Sequence, residues 1–232
     1  MKVAIQIPIK SKSTRVPNKN FRDLCGKPLS FWLLDELVEK CPKGWDIYID
    51  SEDEKNFNFF MKYSKRIRFH KRHSWFASDA ANGNHLINQF AINNPQYDIY
   101  VQAYVTAVTL TGETICNSIE NFIGNLEEHD SMFLAIKECG WVWYDDFAVN
   151  YRPTVPNGLP RSQDATYFKE TTGLYATTKE NVFKNACRVG KKPLIYEIDR
   201  REAADIDTHE DFIAAEEILN RRKNGKAQLL RN

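Results

Sequence analysis

Two stretches of the chain carry side chains whose types and spacing could do chemistry. The first is IPIKSKSTRVPNKNFRDLCGKP, residues 7–28, directly after the apolar run MKVAIQ. It holds six Lys or Arg residues and three hydroxyl side chains, and its first glycine is Gly26. A basic turn leaving a buried strand sets cations and backbone N–H groups where a polyphosphate can sit. Pro8 and Pro17 stiffen that turn and lower the entropy cost of an extended path. With so little glycine the expected grip is one of side chains as much as of backbone amides; a plain solvated basic loop is the alternative. The second stretch is ADIDTHED, residues 204–211. Asp205 and Asp207 are separated by one residue, so on an extended chain their carboxylates point the same way. Two such oxygen groups suit Mg²⁺ (or another divalent cation such as Mn²⁺) bridging phosphate oxygens. Asp207 is also a good helix N-cap before THEDF, an excuse that Asp205 lacks.

These residues must be positioned by the elements around them, and the hydrophobic pattern supplies a regular set. Strands are expected at 3–9, 46–50, 67–72 and 98–105, and helices at 29–41, 52–64, 82–94 and 112–125. That alternation requires helical crossovers between parallel strands, so the fold class is α/β, a mostly parallel central sheet with helices on both faces. Ligands in such sheets bind beyond the carboxyl ends of the strands, which selects the loops after residues 9, 50, 72 and 102. After residue 130 the rhythm changes to strands at 131–138, 171–178 and 193–199, with an aromatic-rich hairpin around 140–153. A last helix covers 207–222, capped by Asp207 or Thr208, with acids in its first turn and arginines in its last. One domain over 1–232 with an inserted arm at about 140–170 is the economical description.

Composition bounds the function. The 232 residues include 32 Lys or Arg against 31 Asp or Glu, a formal charge of +1, which argues against a general nucleic-acid binder. Five scattered cysteines with no CxxC pair fit reduced thiols rather than a disulfide frame or zinc site. The start is too soon interrupted for a signal peptide, and no apolar run approaches the roughly 20 residues of a membrane span. The expectation is a soluble cytoplasmic protein without a membrane partner.

IPIKSKSTRVPNKN, five residues, then GKPL resembles the N-terminal signature of the sugar-activating cytidylyltransferases. These are the acylneuraminate (sialic acid) enzymes and their relatives for pseudaminic, legionaminic and Kdo sugars. Pro8, Ser13, Pro17, Lys19, Asn20, Gly26, Lys27, Pro28 and Leu29 match the pattern, while Lys10 replaces an arginine and Lys12 a glycine. The resemblance implies that this loop wraps the phosphates of CTP, with Lys19 contacting them and Arg15 and Lys10 assisting as the catalytic cations. Pro8, Ser13 and Asn20 then belong to the nucleotide site. IDSEDEK, 49–55, is similar to the family's segment after the second strand. RHSWFASDAA, 72–81, resembles a segment lining the base, which gives base and ribose contacts to Arg72, Ser78 and Asp79. A surface role for Arg72 and an N-cap role for Asp79 are the plain alternatives.

On the sugar side, VQAYVTAV (101–108) occupies the place of a family motif whose glutamine faces the sugar, here Gln102. The aspartate of Kdo-type enzymes near this strand end is absent, which argues against Kdo. PRSQDATYFKETTGLYATT (160–178) resembles a segment of the sialic-acid group and implies sugar-binding roles for Arg161, Gln163 and Tyr175. A guanidinium can grip a sugar acid's carboxylate with two parallel hydrogen bonds. A plain loop arginine at 161 and a core tyrosine at 175 are the alternatives. ADIDTHED resembles the family's metal-binding turn, which implies Asp205 and Asp207 as ligands. The resemblance further implies a Rossmann-like nucleotidyltransferase fold and a homodimer joined by the arm. Its expected reaction is transfer of CMP from CTP to the anomeric hydroxyl of a 2-keto-3-deoxy sugar acid, a sialic acid or related nonulosonate, with release of pyrophosphate. The alternatives are a nucleotidyltransferase for another sugar or base, including Kdo, and a degenerate relative that binds nucleotide without turnover. A metal-dependent glycosyltransferase is disfavoured because its acidic pair follows a middle strand.

Overall fold

Along the first strand, β1 (Val3–Pro8), alternate residues go to opposite faces of a sheet, and both faces are covered. Val3, Ile5 and Ile7 enter one apolar cluster, whereas Ala4 enters another. A strand buried on both sides reads as a continuous apolar run, as VAIQI does. The computed structural model describes residues 1–11 and 16–229, with side chains to residue 222.

The loop after β1 leads through two short strands, β2 (Asp23–Leu24) and β3 (Lys27–Pro28), into α1 (Ser30–Lys40). There follow β4 (Asp46–Ser51), α2 (Glu54–Met61), β5 (Ile67–Lys71), α3 (Gly83–Asn93), β6 (Ile99–Ala103) and α4 (Gly112–Gly124). The second half comprises β7 (Ser131–Cys139), the hairpin β8 (Trp143–Tyr144) and β9 (Phe147–Ala148), and β10 (Thr166–Thr178). It ends with α5 (Lys179–Asn185), β11 (Pro193–Glu197) and α6 (His209–Leu229). The seven-stranded sheet has the order β11-β7-β10-β6-β1-β4-β5, and only β10 runs antiparallel to its neighbours. The mostly parallel α/β fold expected from the sequence is therefore the one present.

The chain moves outward from β1 to β4 and β5, then returns to place β6 on the other side of β1. Between β1 and β6 the crossovers change direction, and a crevice opens there at the carboxyl ends of the strands. The larger core cluster takes Leu33, Leu34 and Leu37 of α1, Phe60 of α2, Ile115, Ile119 and Phe122 of α4, and Phe212, Ala215 and Leu219 of α6. The opposite face takes Ile87, Phe90 and Ala91 of α3 and Val182 of α5, packed against Tyr48, Tyr97 and Tyr100.

On that second face the apolar cluster stops before the strand ends. The next inward positions are Gln102, Gln6, Asp50 and His70, all buried, on four adjacent strands. Buried polar groups need partners, and these find one another. Gln102 Nε2 donates to Gln6 Oε1 at 2.9 Å, Gln6 Nε2 donates to Asp50, and His70 Nδ1 lies 2.9 Å from Asp50 Oδ1.

Three features differ from the sequence reading. β10 begins at Thr166 rather than 171, because its pairing with β7 slips: Glu170 faces Ala135 but Tyr175 faces Phe133, leaving three extra residues on β10. Such a bulge re-aims side chains, often beside a site, and here it turns Thr172 toward the sheet end. Helix α5 was not anticipated; its seven residues, capped by Thr178, are too few and too polar for a periodic signal. The capping alternatives also resolve. Asn82 caps α3, accepting from the N–H groups of Asn84 and His85, so Asp79 has no such duty. Thr208 Oγ1 accepts from Asp211 N–H at 3.2 Å at the start of α6, so Asp207 is not held there as the cap. No helix among the described residues is long and apolar enough to cross a membrane.

Candidate functional site

A cavity of about 420 Å³ lies at the β1/β6 crevice, within the range of small-molecule sites. Pro8, Lys10, Val16, Lys19 and Asn20 come to it from the loop after β1. Arg72 and Ser78 reach it from the segment after β5, Tyr104 and Thr106 from the loop after β6, and Asn82 and Gly83 from the start of α3. Thr172, Arg188, Asp205 and Asp207 complete the wall. Eight residues singled out from the sequence thus meet in one place: Pro8, Lys10, Lys19, Asn20, Arg72, Ser78, Asp205 and Asp207. Ser13 and Arg15 lie outside the described residues.

The loop is held by its neighbours rather than by glycines. Ser11 N–H donates to Glu52 Oε1 at 2.8 Å, and its hydroxyl donates to Asp53 Oδ2 at 3.2 Å. Asn20 Nδ2 donates back to the Lys10 carbonyl at 3.3 Å. Lys19 reaches across the cavity to the turn before α6, where Nζ donates to the Ile206 carbonyl at 2.5 Å and lies 3.3 Å from Asp207 Oδ1. Lys10 Nζ sits 3.4 Å from Asp79 Oδ1, with Asp79 outside the cavity wall and largely exposed.

Arg72 is the most confined cation of the site, its side chain only 3% exposed. Nη2 donates to Glu52 Oε2 at 3.1 Å and to the Ile9 carbonyl at 3.2 Å, and Nη1 lies 3.6 Å from Asp50 Oδ2. Nε and Nη1 have no hydrogen-bond partner among the described residues. Buried donors left so are costly unless a ligand takes them. Burial alone would raise the Glu52 carboxyl, but the Ser11 N–H, its own N–H and Arg72 outweigh it and hold the group below its usual value. Asp211 is likewise held low: burial opposes, and bonds from Thr208, the Asp207 N–H and the charge of Lys19 prevail.

The acidic wall opposite is sparse. Thr172 Oγ1 donates to Asp205 Oδ2, while Asp207 faces Lys19. No group of three or more His, Cys, Asp or Glu side chains among the described residues is placed to hold a metal. Two carboxylates facing a cationic cavity are still the donor set with which Mg²⁺ is ordinarily held when substrate phosphates supply the remaining ligands. The residues present fit a divalent ion of that kind and not a self-sufficient protein cage.

The residues picked for the sugar side are dispersed. Gln102 is fully buried and absent from the cavity wall; Tyr104 and Arg188, which both donate to its Oε1, face the cavity instead. Tyr175 is fully buried below Arg188, whose Cζ lies 3.5 Å from the ring centroid. Burial raises the hydroxyl pKa of both Tyr104 and Tyr175. Arg161 and Gln163 lie on the excursion between β9 and β10, away from the cavity of their own chain. Arg161 is 75% exposed and donates to Asp164 Oδ2 at 2.7 Å; Gln163, with its amide oxygen turned inward, accepts from Nη1 at 3.2 Å. The β8–β9 hairpin, its approach and this excursion together leave Trp141, Trp143, Tyr144, Phe147, Val149, Val155 and Leu159 exposed. Sequence reasoning missed Tyr104, Thr172, Gly83 and Arg188. Thr172 owes its position to the bulge and Arg188 to the turn after α5, and no local motif marks either.

The cytidylyltransferase profile matches residues 4–227. A pseudaminic acid cytidylyltransferase of Campylobacter jejuni is 26% identical over 91% of this chain and 94% of its own length. The N-acylneuraminate cytidylyltransferase A of Danio rerio is 21% identical over 90% of this chain, which spans about half, 49%, of that relative. Among solved structures, a CMP:2-keto-3-deoxy-manno-octonic acid synthetase complexed with CTP superposes with a TM-score of 0.70, at 13% identity, over 96% of this chain and all of that one. A 4-diphosphocytidyl-2C-methyl-D-erythritol synthase from Anaerococcus prevotii gives 0.65 at 14% identity over 94% of this chain and 96% of its own. At these identities the structural likeness speaks to the fold alone.

Proposed function

The chain belongs to the cytidylyltransferase family, a nucleotidyltransferase by that membership, and we propose that it transfers CMP from CTP to the anomeric hydroxyl of a nonulosonate-type sugar acid, releasing pyrophosphate. The observation that carries this reading is the meeting of Lys10, Lys19 and Arg72 with Asp205 and Asp207 around one cavity at the β1/β6 crevice. Three cations suit a nucleoside triphosphate, two of them facing its phosphates, and two carboxylates suit the divalent ion that accompanies one. The acid substrates named for the Campylobacter and zebrafish relatives support a sugar acid as acceptor.

In this reading Lys19 and Lys10 neutralise the triphosphate, and Arg15 and Ser13 of the same loop add to its grip. Arg72 serves the base or ribose side of the nucleotide, beside Pro8, Asn20 and Ser78. Asp79, bonded to Lys10, sets the charge at the mouth. Asp205 and Asp207 would hold Mg²⁺, or Mn²⁺, which when bound would supply charge withdrawal from the phosphates. The acceptor hydroxyl then attacks the α-phosphorus in line as pyrophosphate leaves, and the protein's share is positioning and charge neutralisation. Gln102 acts from behind, fixing Tyr104 and Arg188. Arg161 and Gln163 contribute to the site of a second copy, because the exposed apolar side chains of the hairpin and their excursion suit burial in a homodimer. Five cysteines outside any disulfide accord with a reducing, cytoplasmic location.

The test is purified protein with Mg²⁺, the four common nucleoside triphosphates and a panel of sugar acids including N-acylneuraminate, pseudaminic acid and Kdo, with pyrophosphate measured. Release is expected with CTP and a nonulosonate. CTP binding without pyrophosphate from any pair would sink the reading and favour a nucleotide-binding protein without turnover.

A further inference from the structure

Among the described residues, Arg188 is the one cation of the cavity wall that stands on the β6–β10 side, apart from the three assigned to the nucleotide. Its seat is built by several elements. Helix α5 ends at Ala186 in a left-handed conformation, φ 53°, and the turned chain is pinned where Arg188 N–H donates to Asn84 Oδ1 at 3.0 Å. The guanidinium then lies flat over Tyr175, and Nη1 donates to Tyr104 Oη at 2.9 Å and to Gln102 Oε1 at 3.2 Å. Gly83 makes room: a Cβ there would stand 2.4 Å from Nη1 and 2.9 Å from the Tyr104 hydroxyl. This is a prepared position, since stacking and two bonds remove most of the freedom of a long side chain.

The other edge of the fork is unspent. Nε and Nη2 donate to no hydrogen-bond acceptor among the described residues, and the nearest carboxylate, Glu170 Oε1, is 4.0 Å from Nη2. That oxygen already accepts from the Tyr175 hydroxyl at 2.5 Å. Nε–H and one Nη2–H run parallel, the geometry that receives both oxygens of a carboxylate. A triphosphate has stronger claims elsewhere, toward Lys10 and Lys19, whereas a single planar anion matches one half-paired guanidinium. Arg161, the other arginine suited to this task by type, has its fork taken up by Asp164 and Gln163 outside the cavity.

We propose that Arg188 reads the carboxylate of the sugar acid from within the same chain, gripping both oxygens with Nε and Nη2 while Tyr104, Gln102 and Gly83 hold it in place; the inference rests on the cavity being the site for CTP and a sugar acid. The reader of the acid group is thus built into the sheet, and sugar-acid specificity depends on the turn after α5.

The experiment pairs each enzyme form with the preferred acid of the panel and with the carboxamide of the same sugar. Wild type should favour the acid over the amide by about 100-fold in kcat/KM, the scale of a charge-assisted bidentate contact. Arg188→Gln should lose about 10- to 100-fold on the acid, mostly in KM, and less than about 3-fold on the amide. Arg188→Lys should fall between, and CTP affinity by calorimetry should stay within about 2-fold for both. Gly83→Ala, which crowds Nη1 without removing it, should show the same pattern more weakly. Equal losses on acid and amide would reduce Arg188 to structural support and overturn the inference. So would loss of discrimination in Arg161→Gln with Arg188→Gln unaffected, although the CMP-transfer reading would then stand. Turnover of no acid by wild type would remove that reading and this one together.

Discussion

Asp50→Asn probes the least exposed charge beside the site. Asp50 is 1% exposed, accepts from Gln6 Nε2, lies 2.9 Å from His70 Nδ1, and stands 3.6 Å from Arg72 Nη1. Asn93 Nδ2 donates to the other ring nitrogen of His70, which fixes the tautomer with hydrogen on Nδ1. An amide at position 50 therefore cannot be accommodated by turning it over. With its nitrogen toward Gln6 and Arg72 it sets donor against donor, and toward His70 it does the same. It also removes one of the two carboxylates near a buried guanidinium. Breaking a buried ion pair from one side costs about 3–5 kcal/mol, and because Glu52 still faces Nη2 the lower end, about 3 kcal/mol, is expected. For a chain of this size that corresponds to a fall in Tm of about 6–12 °C. Urea unfolding should give a lower midpoint with an unchanged slope, and CTP should bind more weakly as Arg72 loses its orientation. A loss below about 1 kcal/mol, or an intact CTP affinity, would refute the claim that Asp50 positions Arg72.

Other expectations follow from the same geometry. Lys19→Ala should lower kcat/KM for CTP by about 10²–10³-fold, the scale of a donor lost from charge stabilisation; a change under about 5-fold would remove Lys19 from the triphosphate site. Turnover should cease in EDTA, return with Mg²⁺, and need more Mg²⁺ in Asp207→Asn, whereas activity that persists in EDTA would dissociate the Asp pair from any metal. Glu52 has a folded-state pKa below its ordinary 4.5, so its stabilisation is present above that value and is lost as pH falls through the folded pKa. Stability of Glu52→Gln should accordingly depend less steeply on pH below about 4.5, and parallel curves would show that the bonds from Ser11 and Arg72 contribute nothing net. Replacing Trp143 and Phe147 by Ser should shift sedimentation from dimer to monomer with an unchanged circular dichroism spectrum; an unaltered sedimentation profile would exclude the arm as the dimer contact.

The strand–helix alternation of the first half was legible because β1, β4 and β6 are buried on both faces and read as continuous apolar runs between helix-length segments. Helix α1 was expected at 29–41 and runs over Ser30–Lys40, and α4, expected at 112–125, runs over Gly112–Gly124. The positions that meet at the cavity from β1, β5 and the α6 turn could be named because they lie in contiguous motifs. What stayed hidden depends on register and on turns. Nothing in TYFKETTGLYATT announces that three residues bulge out and bring Thr172 beside Asp205. Likewise, Arg188 is a loop residue by every local criterion, and only the short α5 and the left-handed Ala186 carry it back to Gln102, which is 86 residues distant in sequence. The residues on the excursion between β9 and β10 pose the reverse case: a matching motif places Arg161 and Gln163 by type, yet within one chain the fold holds them away from the cavity.

The scarcity of glycine in the loop after β1 has a physical reason in how its backbone is held. In a glycine-rich phosphate loop the main chain itself must approach the anion, which demands conformations that only glycine adopts without strain. Here the path is fixed from outside instead. Arg72 Nη2 takes the Ile9 carbonyl, Asn20 takes the Lys10 carbonyl, and Glu52 takes the Ser11 N–H. Among the described residues, the left-handed positions of this stretch fall at Asn18, Cys25 and Gly26 with φ 54°, 54° and 88°, where the chain turns toward α1. Bonds that consume backbone groups at positions 9–11 leave the side chains to meet the anion, and Lys10 and Lys19 both line the cavity. Such a loop resists substitution in its props more than in its own backbone. Glu52→Gln and Asn20→Ala should therefore weaken CTP binding although neither side chain carries a positive charge, while a glycine placed at position 11 should cost less than either. Calorimetric CTP affinities for the three variants decide this, and the opposite order would mean that the backbone, not its external supports, makes the grip.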